Sequence, residues 1–133
     1  MKYTPNLQTL VFSTYLGGTQ DDAGYALQIA ANDEIFVSGG TRSSNLPNMS
    51  GLNTTYRGGT ADGFIMRVNA TGSAFQTGTY IGTSLYDQAY KIKLDANEDM
   101  YVYGQTLGSY PVTPGVYSNA GGKQFIHKLN RDL

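Results

Sequence analysis

Apolar and polar side chains alternate with a period of two along much of the chain. Tyr25, Leu27 and Ile29 interleave with Ala26, Gln28 and Ala30, and Tyr90, Ile92 and Leu94 interleave with Lys91 and Lys93. Successive side chains of an extended strand point to opposite faces, so this period predicts half-buried β-strands. Each ends in a turn signal, Asn32-Asp33 or Asn97-Glu98; Asn and Asp tolerate the left-handed backbone of a tight turn. Beyond the turns, Ile35–Ser38 and Met100–Tyr103 are largely apolar or aromatic on both faces, which predicts strands covered on both sides. Long loops follow at 40–63 and 105–124, carrying Leu46-Pro47, Tyr110-Pro111 and Thr113-Pro114-Gly115. Proline has no amide donor, so these segments are not central strands. Third strands are predicted at Phe64–Asn69 and Phe125–Asn130. Ala70-Thr71-Gly72-Ser73 then turns the chain into a fourth strand at Ala74–Ile81, and Gln8–Leu16 is its counterpart at the start of the chain.

The two halves are copies. Thr14-Tyr15-Leu16-Gly17 returns 65 positions on as Thr79-Tyr80-Ile81-Gly82. The same spacing relates Asp22 to Asp87, Tyr25 to Tyr90, Val37 to Val102, Gly39 to Gly104 and Thr41 to Thr106. After a four-residue deletion the spacing is 61, relating Tyr56 to Tyr117, Phe64-Ile65 to Phe125-Ile126, and Asn69 to Asn130. A register kept over such a length and resumed after a gap marks a tandem duplication. Four short antiparallel strands per copy, with covered middle strands, predict an all-β fold built from about two β-propeller blades. Two sheets packed face to face as a sandwich are the structural alternative. The predicted units are 8–83, an outer strand plus the first blade, and 84–133, a second blade lacking its outer strand.

Composition narrows the function classes. Nine Lys and Arg against ten Asp and Glu leave a net charge of −1, which argues against nucleic-acid binding because phosphate contacts depend on clustered cations. The absence of cysteine excludes a thiolate nucleophile, a disulfide framework and a cysteine-based zinc site. No apolar run approaches the roughly 20 residues of a membrane-spanning helix, so membrane insertion is not expected. Met1-Lys2-Tyr3-Thr4-Pro5 lacks the apolar stretch of a signal peptide, which suits a cytoplasmic protein, a mature segment or an excised one. The 17 glycines and 11 tyrosines fit turns and packing repeated in each blade.

Leu10-Val11-Phe12-Ser13-Thr14-Tyr15-Leu16-Gly17-Gly18, followed by Asp21-Asp22 and Gly24, resembles the bacterial SBBP β-propeller repeat. So do Tyr56-Arg57-Gly58-Gly59, Asp62-Gly63-Phe64-Ile65 and Val68-Asn69 in the first copy. Thr113-Pro114-Gly115-Val116-Tyr117 and Phe125–Asn130 carry the resemblance through the second copy, so that it covers residues 8 to 130. It implies a β-propeller of a secreted or cell-surface bacterial protein, in a family without agreed catalytic residues. The second copy departs from the pattern where Thr83 replaces the second glycine and Lys123 stands in the place of Asp62. These departures weigh against a ligand role that needs the same residues in every blade. The chain starts and stops out of phase with whole blades. The expected partners are therefore further blades, from the same parent chain or from identical chains that complete one another's sheets by strand addition.

Candidate chemistry is sparse. Asp21, Asp22 and Asp87 are either paired carboxylates for acid–base work or turn-holding acceptors of backbone amides. Asp95-Ala96-Asn97-Glu98-Asp99 begins like a calcium loop but lacks the glycine and the later glutamate of that motif; turn chemistry is the plainer reading, and no metal site is assigned. His127, the only histidine, matches Met66 in register and reads as a structural residue. Tyrosines 15, 25, 80, 90, 101 and 103 are placed in strands, as packing groups between blades. Tyr86 and Tyr110, in or near loops, are the candidate ligand-binding residues, since tyrosine combines contact area with a polar handle. No cofactor is implied. The expected function is a non-catalytic scaffold or binding module, with a glycan or protein as ligand. The alternative is an accessory segment of a secreted carbohydrate-active or other hydrolase. The positions of Asp22, Asp62 and Asp87 discriminate: convergence in one pocket favours the enzyme, scatter over separate turns favours the scaffold.

Overall fold

The computed structural model describes every residue from Met1 to Leu133. The fold is all-β. Its nine strands are β1 (Lys2–Tyr3), β2 (Leu10–Phe12), β3 (Asp22–Ile29), β4 (Ile35–Thr41), β5 (Asp62–Val68), β6 (Phe75–Ile81), β7 (Asp87–Leu94), β8 (Met100–Thr106) and β9 (Gln124–Leu129). Strands β3-β4-β5-β6 form an antiparallel sheet in chain order, and β7-β8-β9 form a second. The alternating segments become β3 and β7, and both hairpins turn at the expected Asn-containing pairs, where Asp33 (φ 64°) and Glu98 (φ 63°) adopt left-handed backbone.

The two copies share their irregularities as well. A bulge interrupts β3 between Gly24 and Ala26, and another interrupts β7 between Ala89 and Lys91. The extra residue is Tyr25 in one and Tyr90 in the other, and their rings meet between the sheets with centroids 5.6 Å apart. A bulge bends its strand and re-aims a side chain, which brings each tyrosine to the same end of its sheet.

The sheets pack face to face. Phe36, Ile65 and Ile81 of the first join Ala89, Ile92, Met100, Val102, Phe125 and Leu129 of the second in one buried cluster. A smaller cluster of Leu46, Phe64, Met66 and Tyr80 lies on the other face of the first sheet, beneath the long loop after β4. Close approach requires small residues: a Cβ on Gly63 would lie 3.0 Å from the Ala89 amide nitrogen. A parallel bridge between Ala61 and Tyr86 joins the sheets at one end, where the Asp87 amide donates to the Ala61 carbonyl at 2.8 Å. At the other end the Arg131 guanidinium binds Glu34 at 2.5 Å and also Glu98, clasping the turns of the two copies together.

Three expectations need correction. Only Leu10–Phe12 of the stretch 8–16 is a strand, and it pairs with Lys2–Tyr3 instead of joining a large sheet. An isolated strand must find partners for its amides, and the turn held by Thr4 and Leu7 offers the nearest ones. Tyr15, placed in a strand by its likeness to Tyr80, consequently lies outside one. The long loop of the first copy is shorter than 40–63, because Gly40 and Thr41 continue β4 by pairing with Gly63 and Asp62; a glycine signals a turn only when no strand lies alongside it.

Candidate functional site

An open cleft of about 400 Å³ lies where the two sheets meet near the start of β3. Asp21 and Tyr25 line it from the β3 side, Arg42 from the end of β4, Thr60 from the approach to β5, Tyr86 from the bridge just before β7, and Gln88 from β7. Backbone pairing sets this convergence. The Arg42 amide donates to the Asp21 carbonyl at 2.9 Å, and the Ala61–Tyr86 bridge brings the second sheet alongside. On the rim, Arg42 Nη1 pairs with Asp21 Oδ2 at 3.2 Å, with both side chains largely in water; such a pair adds little to stability and is free to turn toward a ligand. Burial raises the pKa of Tyr25 and of Tyr90, and the neighbouring Tyr86 raises both further. The hydroxyls therefore remain protonated, as donors and acceptors beside an aromatic surface.

Each carboxylate holds its own turn, although Asp22 and Asp62 both stand opposite Thr41 in the first sheet and Asp22 also lines the cleft. Asp22 Oδ2 accepts the Gly18 amide at 2.7 Å and the Ser43 hydroxyl at 3.0 Å, while Oδ1 accepts the Thr41 hydroxyl at 2.5 Å. The chain wraps its own carboxylate here, with a Cβ on Gly17 falling 2.6 Å from Asp22 Oδ2. Asp87 repeats the arrangement with the Thr83 amide at 2.7 Å and its hydroxyl at 2.9 Å, and a Cβ on Gly82 would lie 2.8 Å from the Asp87 carboxyl carbon. Asp62 accepts the Arg57 amide and fixes the loop before β5. Asp62 and Asp87 are fully buried, each with one oxygen lacking a hydrogen-bond partner. Burial pushes the Asp62 carboxyl up to about 7, and the charge of Asp87 adds to the effect. Neither of these two lines the cleft.

The two tyrosines chosen from the sequence part company. Tyr86 lines the cleft. Tyr110 packs inward: its ring stacks on Phe125 with centroids 3.9 Å apart, and its hydroxyl lies 2.8 Å from His127 Nδ1. Burial raises the Tyr110 pKa and lowers that of His127. The reason lies in the duplication, since Tyr110-Pro111 takes the place of Leu46-Pro47, and Leu46 packs with Phe64 and Met66 as Tyr110 packs with Phe125 and His127. Asp95 closes its own turn, with Oδ1 accepting the amides of Asn97 and Asp99. Nowhere do three carboxylate or imidazole groups gather in a way that could hold a metal ion.

Arg42, Thr60 and Gln88 were not legible as site residues, because each reaches the cleft through pairing between distant segments. Thr41 left a trace: it recurs as Thr106 in the same register that relates Asp22 to Asp87. Set against protein-family models and curated proteins, the chain matches none.

Proposed function

We propose that the two sheets are neighbouring blades of a β-propeller, and that the chain is a non-catalytic scaffold and binding module of a secreted or cell-surface bacterial protein. The cleft carries this reading. Tyr25 and Tyr86 offer aromatic surface beside Asp21, Arg42 and Thr60, a combination suited to a glycan, whose rings present both C–H faces and hydroxyl groups. The motif resemblance across residues 8–130 supports the propeller and the extracellular setting.

The alternative, an accessory segment of a secreted hydrolase, is favoured by the placing of Asp22 and Asp62 on either side of Thr41 and by the raised pKa of Asp62 near Asp87. A general acid must reach its substrate, and the carboxyl groups of Asp62 and Asp87 are sealed from solvent. The scaffold reading is therefore preferred.

A glycan array probed with the wild-type chain and the Tyr86→Ala variant tests the ligand class. Binding that Tyr86→Ala abolishes and Tyr110→Phe leaves intact is the expected result. Absent binding, or binding indifferent to Tyr86, removes the glycan reading.

A further inference from the structure

The duplication shows which surfaces of each sheet are built to be covered. Residues that match between the copies occupy opposite situations. Ile92 faces the first sheet and is 2% exposed, whereas its counterpart Leu27 is 52% exposed on the outer face of the first sheet. Val102 is likewise buried and Val37 only half-buried. On the other side, Ile65 is 0% exposed between the sheets, whereas its counterpart Ile126 is 77% exposed on the outer face of the second sheet. Phe36 and its counterpart Tyr101 repeat that contrast. The outer face of the first sheet thus matches the inner face of the second, and the outer face of the second matches the inner face of the first. The interface inside the chain is drawn once more on its two outsides.

The strand edges agree. β5 is covered by β6, with Phe64 opposite Tyr80 and Ile65 opposite Thr79. β9, the counterpart of β5, is an open edge. The counterpart of β6 is the stretch 10–16, and its Tyr15 is 98% exposed where Tyr80 is 0% exposed. Tyr80 donates to the Ser43 carbonyl at 3.0 Å and accepts the Leu46 amide at 3.2 Å, while Tyr15 takes part in neither kind of contact.

We propose that copies of this chain assemble head to tail. The second sheet of one copy packs on the first sheet of the next, as its own first sheet packs on its second. The next copy's segment 10–16 adds to β9, placing its Tyr15 opposite Phe125, Thr14 opposite Ile126 and Ser13 opposite His127. An apolar groove lined by Tyr25, Leu27 and Val37 on the first sheet receives Ile126 and Tyr101. The contact is heterologous, one face against a different one, and repeats until a ring closes. This deepens the blade reading by naming the source of the neighbouring blades, and it is independent of the cleft's ligand.

Mixing experiments test it. Leu27→Asp and Ile126→Asp each spoil one outer face at a position already exposed, so each variant should fold and run as a monomer. Mixed together they retain one good face apiece, and light scattering should report a particle of twice the chain mass and nothing larger. The wild type should form a closed oligomer at the same concentration. Thr14→Cys mixed with Ile126→Cys should give one disulfide-linked heterodimer, since paired strand residues lie about 4.5–5.5 Å apart, within disulfide reach. A wild type that stays monomeric at its highest soluble concentration, a mixture that stays monomeric, or cysteines that pair like with like would each overturn the proposal. A tandem fusion of two chains separates this from the blade reading. If separate copies ignore one another but the fusion melts well above the single chain, only the second-copy partner falls; if the fusion melts with the single chain, the blades fall too.

Discussion

The Phe64 ring lies against Gly39, with its Cε1 atom 2.7 Å from the point a Cβ on residue 39 would occupy. The same Cβ would stand 2.0 Å from the Ala23 carbonyl oxygen. Gly104 repeats the relationship with Phe125 Cζ at 2.4 Å and the Gln88 carbonyl oxygen at 2.2 Å. Both glycines lie where a bulged strand presses its backbone against its neighbour. Because a backbone carbonyl cannot step aside as a side chain can, Gly39→Ala and Gly104→Ala should each cost about 1–3 kcal/mol or more, read as a lower midpoint in urea melts. Gly58, with nothing within 4 Å of its Cβ position but a φ of 105°, is the comparison site, where Ala should cost only backbone strain of about 1–2 kcal/mol.

Asp22 binds the Gly18 amide and two hydroxyls, whereas Asp87 binds one amide and one hydroxyl of a single threonine and leaves Oδ1 unpartnered. Hydrogen bonds to a charged acceptor contribute about 1.5–3 kcal/mol each at most. Asp22→Ala should therefore lose about 2–3 kcal/mol, and Asp87→Ala distinctly less. Equal losses in thermal melts would show that the two turns are held by something other than these carboxylates.

The raised Asp62 pKa gives stability a definite pH dependence. In the unfolded chain the group titrates near 4, in the folded protein near 7. Between those values the folded state holds the extra proton, so this contribution is complete below about 4 and fades as pH rises toward 7. The Asp62→Asn variant should gain melting temperature relative to wild type as pH increases from 4 to 7, then hold that gain. A difference that does not vary with pH would mean the carboxyl is ionised in the fold.

His127 works in the opposite direction. Burial lowers its pKa, so below the unfolded value near 6.5 the unfolded chain binds the proton more readily. Its contribution is present above that pH and declines as pH falls, and His127→Gln should flatten the decline. Tyr110→Phe keeps the stacked ring but removes the hydroxyl partner of Nδ1, at a cost of about 1 kcal/mol at neutral pH. Heat-denaturation series at pH 5 and pH 8 check both variants.

Much of the architecture was legible because it rests on local rules. Alternation at Tyr25–Ile29 and Tyr90–Leu94 placed β3 and β7, since a strand's faces have a period of two residues. Repetition then placed the remaining strands of both sheets. Reading Gln8–Leu16 by the same likeness failed, because a strand also needs an edge to pair with and the nearest one here was Lys2–Tyr3. Within the candidate cleft, Tyr86 was reachable from sequence while Arg42 and Gln88 were not, as they meet only after β4 and β7 are brought side by side.

The amino-acid sequence by itself determined an all-β chain of two like units, through periodicity, turn residues and a duplicated register. Only the tertiary structure decided which matching residues are covered. Leu27 and Ile92 have the same place in their strands and the same apolar character, yet one lies in solvent and the other in the core. Burial depends on what stands across the interface, and that is a property of the packed sheets that no single strand carries.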